Sequence, residues 1–571
     1  MSRSKEHRIK ERKRVMTKEK QEHRLLKRII SYLLPYKRRL GVILCCLLLT
    51  TVFGFFQPLV IRRITDDGML QRDMGVILSS VLLLFLLVGS GQLLELLQTR
   101  LFTDLHNALK ASMWKQTFHK LLHLRTEYFN DKNNSEIISS LQTDVENVAS
   151  VTDRYVVMNI SFLFRVISGV AGLLIISWKL TIVVLLMVPV KYLIVSKLAG
   201  RRKKKMEEYI ESYRDFSAWF GDTIEGMREI KLWDLFRQRQ AVFETKQGQL
   251  LKNGRDNTMM DAFNLFCEIL LSWSVTGLLY ILGGFLIVRG SLTVGGVFSF
   301  ITYSNYVTGP ISSILNMKYV LSRIYPSAER LFSFLDRDEE TDRGSDVDMD
   351  PESLEISFRN VSFSYEEKGE VLRGIDFSIR KGDKVAIIGA NGSGKTTLIN
   401  LLLRFLEPTG GVIEVCSISI DRISMGQYRS LFAVVSQEPY LFYDTIYNNI
   451  NLDHRSGMDR IEKACLQSGA YDFIQKFPEK ENSMIGRNGA KLSGGEKKKL
   501  AVARAIVRDA PIVILDEATA GYDVESDSYL YDILLNEFTD KTVIMITHNY
   551  KHLEGMDRIY RLSEGRLEEL A

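Results

Sequence analysis

Residues 389–397 read GANGSGKTT, which fits G-x-x-x-x-G-K-S/T. The run KVAIIG precedes it and TTLINLLLRF follows it. An apolar strand, a glycine-rich turn and a helix start form the setting in which backbone N–H groups converge on phosphates, and the helix dipole favours the same anion. Gly389, Asn391, Gly392, Ser393, Gly394 and Thr397 belong to that cradle. Lys395 is placed to reach the β- and γ-phosphates, and Thr396 offers a hydroxyl to Mg2+. The partner chemistry sits at 511–520, PIVILDEATA. Ile512 to Leu515 read as a buried parallel strand that ends in two acids. Asp516 suits the metal ion, and Glu517 suits the task of orienting or deprotonating an attacking water. ATP and Mg2+ are the implied ligands. A second phosphate-holding candidate is KLSGGEKKKL, 491–500, where Ser-Gly-Gly opens a basic amphipathic helix.

That second candidate carries a resemblance. LSGGE, Leu492 to Glu496, resembles the signature motif of ATP-binding-cassette (ABC) transporters, and residues 353–571 resemble their nucleotide-binding domain, an α/β P-loop ATPase. The resemblance implies roles for further residues in order along the chain. Tyr365, in SFSY, matches the aromatic that stacks on adenine. Gln437, in VVSQEP, matches the glutamine that touches Mg2+ and reports to the membrane domain. Asp523 matches the aspartate after the catalytic glutamate, and His548, in ITHN, the histidine on the γ-phosphate. It also implies two such domains paired head to tail, each ATP lying between the phosphate loop of one and the signature of the other. Ser493, Gly494 and Gly495 then serve the partner chain's ATP. With one copy of each motif in the sequence, two chains are needed. Three positions depart from the usual pattern: Glu496 in place of glutamine, Arg487 in place of an acid, and Ala520-Gly521-Tyr522 before Asp523. All three bear on the partner-facing side. A homodimer is the first reading and a heterodimer with a second half-transporter the alternative.

The elements that must carry this machinery divide the 571 residues into unlike halves. Nearly all long apolar runs lie before residue ~335, as expected of a membrane domain. Six runs are of bilayer length: Leu40–Ile61, Gly75–Leu94, Tyr155–Trp178, Leu180–Ser196, Ile269–Val288 and Gly290–Met317. Basic clusters flank them on one side, in residues 1–39, with fifteen Lys or Arg against four Glu, and in RRKKK at 201–205. That side is read as cytosolic, with the N-terminus and the ATPase on it. The connections after spans two and four are then long, helical and cytosolic. The expected organisation is a basic N-terminal segment (1–39), a transmembrane domain of six helices (40–335), an acidic linker (336–352) that cannot form a core, and the ATPase domain (353–571). Within the first segment, Leu25, Leu26, Ile29, Ile30, Leu33 and Leu34 recur at helical spacing and suit either a membrane surface or a protein face. No Phe, Tyr or Trp interleaves the basic residues before Tyr32, which argues against nucleic acid. The five cysteines have no metal spacing and read as free thiols. The opening residues are too charged for a secretory leader.

Six spans ahead of one ATPase resemble exporter-type half-transporters, with YFNDKNNSEIISSLQTDVENV (128–148) and FGDTIEGMREIKLW (220–233) resembling their internal loops. The implied function is ATP-driven export of a hydrophobic or amphipathic cargo (lipid, drug or peptide) by alternating access, from a bacterial inner membrane. An importer on the same scaffold, with siderophore-like cargo, is the alternative. An anchored ATPase factor and an ATP-gated channel are weaker rivals, opposed by the six spans and by Glu517. Arg165, Lys191 and Glu268 fall inside or beside spans. They line a cargo path or pair with one another.

Overall fold

The computed structural model describes residues 23–130, 134–365, 369–486, 489, 491–516, 537–547, 553 and 555–570. The expectations placed on Arg487, Glu517, residues 520–522, Asp523 and His548 lie outside these, as does residues 1–22 of the basic segment. The chain forms two compact units. One is helical and ends at Arg337; the other is α/β, begins at Asp338 and also takes in the short segment from Leu124.

The helical unit opens with α1 (residues 23–33). Of its two expected settings, the protein face is observed. Ile29 is fully buried among Leu109, Met113, Val145 and Phe332. Arg28 lies over the Phe332 ring and grips both oxygens of Asp336, at 2.6 and 2.8 Å. There follow α2 (Lys37–Arg63), α3 (Met74–His123), the short α4 (Glu127–Asn130), α5 (Asn134–Ala149), α6 (Arg154–Ile176), α7 (Trp178–Glu225), the short α8 (Met227–Leu232), α9 (Phe236–Val288), α10 (Val294–Thr308) and α11 (Ile311–Leu335). Among the described residues five helical stretches are long and apolar enough to cross a membrane: the α1–α2 run, α3, α6, α7 and α9. With 50 residues, α3 extends ~75 Å, more than twice a ~30 Å hydrocarbon core, so it must leave the membrane. The sixth expected span, Gly290–Met317, is not one helix. Gly309 donates to the Asn305 carbonyl at 2.9 Å, but Pro310 has no N–H with which to continue the ladder, and the run divides into α10 and α11.

Close packing of α6 on α10 depends on Gly172, where a Cβ would lie 2.5 Å from the Tyr303 ring. Beyond their apolar stretches α7 and α9 are joined by ion pairs, Lys246–Asp215 at 2.7 Å and Lys205–Asp256 at 3.3 Å. Along the apolar stretches large side chains stay exposed, Phe85 and Ile281 each at 72 %. Continuous apolar surface of that kind requires lipid or a partner chain to cover it.

The α/β unit contains β1 (Glu355–Tyr365), β2 (Gly369–Arg380), β3 (Lys384–Ile388), α12 (Lys395–Leu402), β4 (Gly410–Val415), β5 (Ile418–Ser419), α13 (Met425–Ser430), β6 (Phe432–Val435), α14 (Ile446–Ile450), α15 (Met458–Gln467), α16 (Tyr471–Ile474), α17 (Gly494–Arg508), β7 (Ile512–Asp516), β8 (Thr542–Thr547), β9 (Arg558–Ser563) and β10 (Arg566–Glu569). One sheet is antiparallel, in the order β2-β1-β4-β5; the other runs β10-β9-β3-β8-β7-β6 and is parallel except at its β10 edge. KVAII, IVILD and TVIMIT are continuous apolar runs because their strands are covered on both faces. Phe358, Leu372, Ile387 and Leu398 fill the space between the sheets. The order β3-β8-β7 brings the carboxyl ends of β3 and β7 to one edge, where open α/β sheets place their ligands.

Two further segments dock on this unit. Leu124 bridges to Glu339, and Arg125 reaches Glu407 at 3.0 Å. The acidic stretch beyond Asp338 is not a loose connector. Met425 donates its N–H to Asp342 at 2.9 Å, Arg429 pairs with Glu340, and Gln427 exchanges two hydrogen bonds with the Val347 backbone, at 2.9 and 2.6 Å. Val347 and Met349 pack against the core. The stretch forms no core of its own, but two apolar residues among the acids anchor it to that of the α/β unit.

Candidate nucleotide site

The phosphate loop leaves β3 at Ile388 and enters α12 at Lys395. Its path needs glycine. Gly392 and Gly394 have φ of +80° and +106°, and a Cβ on Gly394 would also press on Leu372 at 2.9 Å. Lys395 is almost fully buried and donates from Nζ to the carbonyls of Gly389 and Ala390, at 2.7 and 3.0 Å. The ammonium is thereby held over the centre of the loop. The Ser393 hydroxyl is buried without a hydrogen-bond partner. An orphaned donor in a turn of converging N–H groups fits a phosphate oxygen.

A cleft of about 560 Å³ collects the expected residues. Tyr365, Asn391, Gly392, Gly394, Lys395, Thr396, Thr397, Gln437 and Asp516 all line it. Tyr365 stands at the end of β1, its ring edge-on to Phe363 and its hydroxyl 3.3 Å from that of Thr397. Gln437 follows β6, and Asp516 ends β7. A hydroxyl, an amide and a carboxylate on three elements form an all-oxygen donor set, the chemistry that Mg2+ prefers. Gly389 and Ser393 lie on the far wall of the loop, where a Cβ on Gly389 would run into the Leu562 carbonyl.

Ser493, Gly494 and Gly495 are not in this cleft. Ser493 caps α17: its hydroxyl accepts from Glu496 N–H at 3.3 Å, and the Glu496 carboxylate accepts from Ser493 N–H at 2.8 Å. The reciprocal pair satisfies two orphan donors at the helix start, which gives the unusual Glu496 a local role. Ser493 and Gly494 face outward.

Sequence reasoning missed the scaffold behind Gln437. Asn449 is 1 % exposed and accepts from Phe442 N–H at 2.8 Å while donating to the carbonyls of Phe442 and Thr445, both at 3.0 Å. Arg504 donates to the carbonyls of Asn449 at 2.9 Å and Tyr440 at 3.2 Å. Burial pulls its guanidinium down to about 10. Together they fix the loop between Gln437 and α14. An asparagine and an arginine at these positions belong to no motif, so nothing in the sequence marked them. In the helical unit the charged residues divide. Lys191 is buried, donates to Ser272 at 3.2 Å and faces the charge of Glu268. Arg165 lies 5.6 Å over the Tyr306 ring and lines a separate cavity.

Comparison with known proteins agrees with this geometry. Residues 40–311 match the family described as ABC transporter transmembrane region, and residues 372–520 match the family described as ABC transporter. An ATP-dependent lipid A-core flippase of Thiobacillus denitrificans is 29 % identical over 548 residues, covering 95 % of this chain and 94 % of that protein. The ABC transporter ATP-binding protein YfiC of Bacillus subtilis, itself uncharacterized, is 27 % identical over 548 residues, covering 95 % and 90 %. A bacterial Atm1-family ABC exporter solved with ATP bound superposes with a TM-score of 0.77 at 21 % identity, over 93 % of this chain and 95 % of that one, and so shares the fold. The chain belongs to the ABC transporter family, an exporter-type helical membrane domain fused to an ATPase whose work is coupled to transmembrane transport.

Proposed function

We propose that this chain is one half of a dimeric ABC exporter that moves a hydrophobic or amphipathic cargo, a lipid foremost, by alternating access from a bacterial inner membrane. The observation that carries the reading is the match, over nearly the full length of both chains, to proteins named as ATP-dependent lipid A-core flippases. In this reading ATP and Mg2+ occupy the cleft of Lys395, Thr396, Gln437 and Asp516. Lys395 and the loop N–H groups hold the β- and γ-phosphates. Glu517 activates the water, His548 contacts the γ-phosphate, and Tyr365 stacks on adenine. The Ser493-Gly494-Gly495 turn, exposed at Ser493 and Gly494, completes the partner's site, which agrees with its separation from the chain's own cleft. Differential binding of ATP to the closed dimer then biases the membrane helices. Leu232, the last residue of α8, and Trp233 after it are both exposed and suit a coupling contact with an ATPase domain.

The test is ATP turnover by the chain purified alone in lipid, beside Glu517→Gln, with cargo movement followed in vesicles of known orientation. Cooperative turnover abolished by the substitution, with outward movement of a labelled lipid, supports a homodimeric exporter. Silence from folded protein that is relieved by a second half-transporter would establish the heterodimer. Movement in the opposite sense would establish the importer.

A further inference from the structure

Pro58 stands inside α2 and has no N–H. The Gly54 carbonyl, four residues back, therefore loses the donor that an unbroken ladder would give it. In lipid no water replaces that donor, and a neighbouring helix must supply one. Helix α10 does so. Ser299, Tyr303 and Tyr306 recur at helical spacing along one face of it. The Tyr306 hydroxyl donates to the Gly54 carbonyl at 3.4 Å, the Tyr303 hydroxyl to the Phe55 carbonyl, and the Ser299 hydroxyl to the Pro58 carbonyl. The acceptors follow in reverse order, as antiparallel helices require. Behind the two rings α6 carries Gly169 and Gly172, where a Cβ would stand 3.0 Å from the Tyr306 Cβ and 2.5 Å from the Tyr303 ring. Just beyond α2, Asp66 accepts from the Gly295 N–H at 2.7 Å, in the first turn of α10.

We propose that this seam is a latch: α10 supplies the donor that Pro58 lacks and holds α2 in the conformation seen here, and α2 bends at Gly54–Pro58 when the hydroxyls part from it. The inference rests on the reading of the chain as an alternating-access transporter. Two features suit a contact that opens. The Tyr303 and Ser299 hydroxyls use carbonyl lone pairs that the ladder of α2 leaves over, so they separate without unwinding the helix. A glycine and a proline four residues apart, with one ladder bond missing between them, mark a place where a helix bends at little cost. Tyr303 and Tyr306 are positioning residues that act through α2. Tyr306 differs from the other two donors because it serves the carbonyl that the proline orphans.

The test uses the full chain in lipid nanodiscs. Its five native cysteines are replaced by serine, and nitroxide labels are placed on Met69→Cys and Ser291→Cys, either side of the Asp66–Gly295 contact. Labelled chain is diluted in unlabelled chain, so that one pair is read per assembly. Pulsed electron resonance, at an ATP concentration that gives both a short and a long distance, reports the ratio of unlatched to latched chain. Tyr303→Phe and Tyr306→Phe should each raise that ratio about threefold, the usual worth of a hydrogen bond between membrane helices, and together about tenfold. Pro58→Ala restores an N–H to the Gly54 carbonyl. In that background Tyr306→Phe should change the ratio by less than about 1.5-fold, while Tyr303→Phe keeps its threefold effect. Selective rescue of this kind cannot come from misfolding. A ratio that neither tyrosine substitution moves, or a Tyr306→Phe effect equal in the two backgrounds, overturns the latch. ATP turnover in the same discs reads the transporter assignment separately. Turnover with a single distance at every ATP concentration removes the latch alone. Two distances with the Pro58–Tyr306 coupling, but without turnover, keep the latch and remove the transport reading.

Discussion

Asn449→Ala should uncouple the loop behind Gln437 while leaving the phosphate loop in place. The side chain is 1 % exposed and makes three hydrogen bonds, all to backbone. Truncation strands the Phe442 N–H and removes one donor each from the Phe442 and Thr445 carbonyls. A buried group left without its partner costs about 1–3 kcal/mol, the amide most and the carbonyls less because each keeps a second lone pair. The sum is about 2–4 kcal/mol. For an ATPase unit of this size, each kcal/mol lowers the unfolding midpoint by roughly 2–4 °C, so a fall of about 5–15 °C is expected in the unit's own transition. Asn449→Asp keeps the bond from Phe442 N–H but sets a carboxylate against two carbonyls, and should be at least as damaging. The assay is calorimetry of the full chain in lipid together with a nucleotide-binding titration. ATP affinity should change little, since the cleft wall made by α12 is untouched. Turnover should fall at least tenfold. A midpoint within 2 °C of wild type, or unaltered turnover, would refute the reasoning that Asn449 carries this loop.

Three shorter predictions follow from other contacts. Ser493→Ala removes the cap of α17 and should cost ~1 kcal/mol of stability, seen as a small midpoint shift, while turnover falls far more if the residue serves the partner's ATP; Ser493→Thr should restore the midpoint. The Asp336 carboxyl is held below its usual range, first by its hydrogen bond from Arg28. A depressed folded value stabilises fully above the unfolded value of about 3.9 and loses its effect as pH falls through the folded one. Asp336 is more than half exposed, so the contribution is under about 1 kcal/mol. Protection factors of the α1 amides, which remove the intrinsic pH dependence of exchange, should therefore be flat from pH 7 to 5 and fall below ~4, and Asp336→Asn should lower them above that range and converge with wild type below it. Gly172→Ala places a methyl where the Tyr303 ring stands and should destabilise the α6–α10 packing by about 1–3 kcal/mol, read as a lower aggregation temperature of the membrane domain.

The nucleotide cleft was legible because phosphate chemistry leaves little freedom of residue type. A loop that must take positive φ beside a buried lysine has to be written in glycine, and the strand end that faces it carries an acid, Asp516. Its strands were legible too, since burial on both faces forces unbroken apolar runs such as TVIMIT. What escaped has the opposite character. Asn449 and Arg504 work through backbone carbonyls of a loop whose path no local pattern announces. The division between α10 and α11 was written as Gly309-Pro310, yet the surrounding apolar run reads as one span because hydropathy is blind to a missing N–H. The acid count of the stretch after Leu335 hid Val347 and Met349, whose burial decides its course.

That anchored stretch has a mechanical consequence. Helix α11 is hydrogen-bonded through Asp336 and Arg337, to the carbonyls of Phe332 and Phe334, and Leu124 is already bridged to Glu339. The backbone between the last hydrogen bond of α11 and the first contact of the α/β unit is one or two residues long, ~7 Å at full extension. Under the transport reading proposed above, so short a connection would pass on a displacement that a glycine-serine insert of a few residues between Arg337 and Asp338 would absorb.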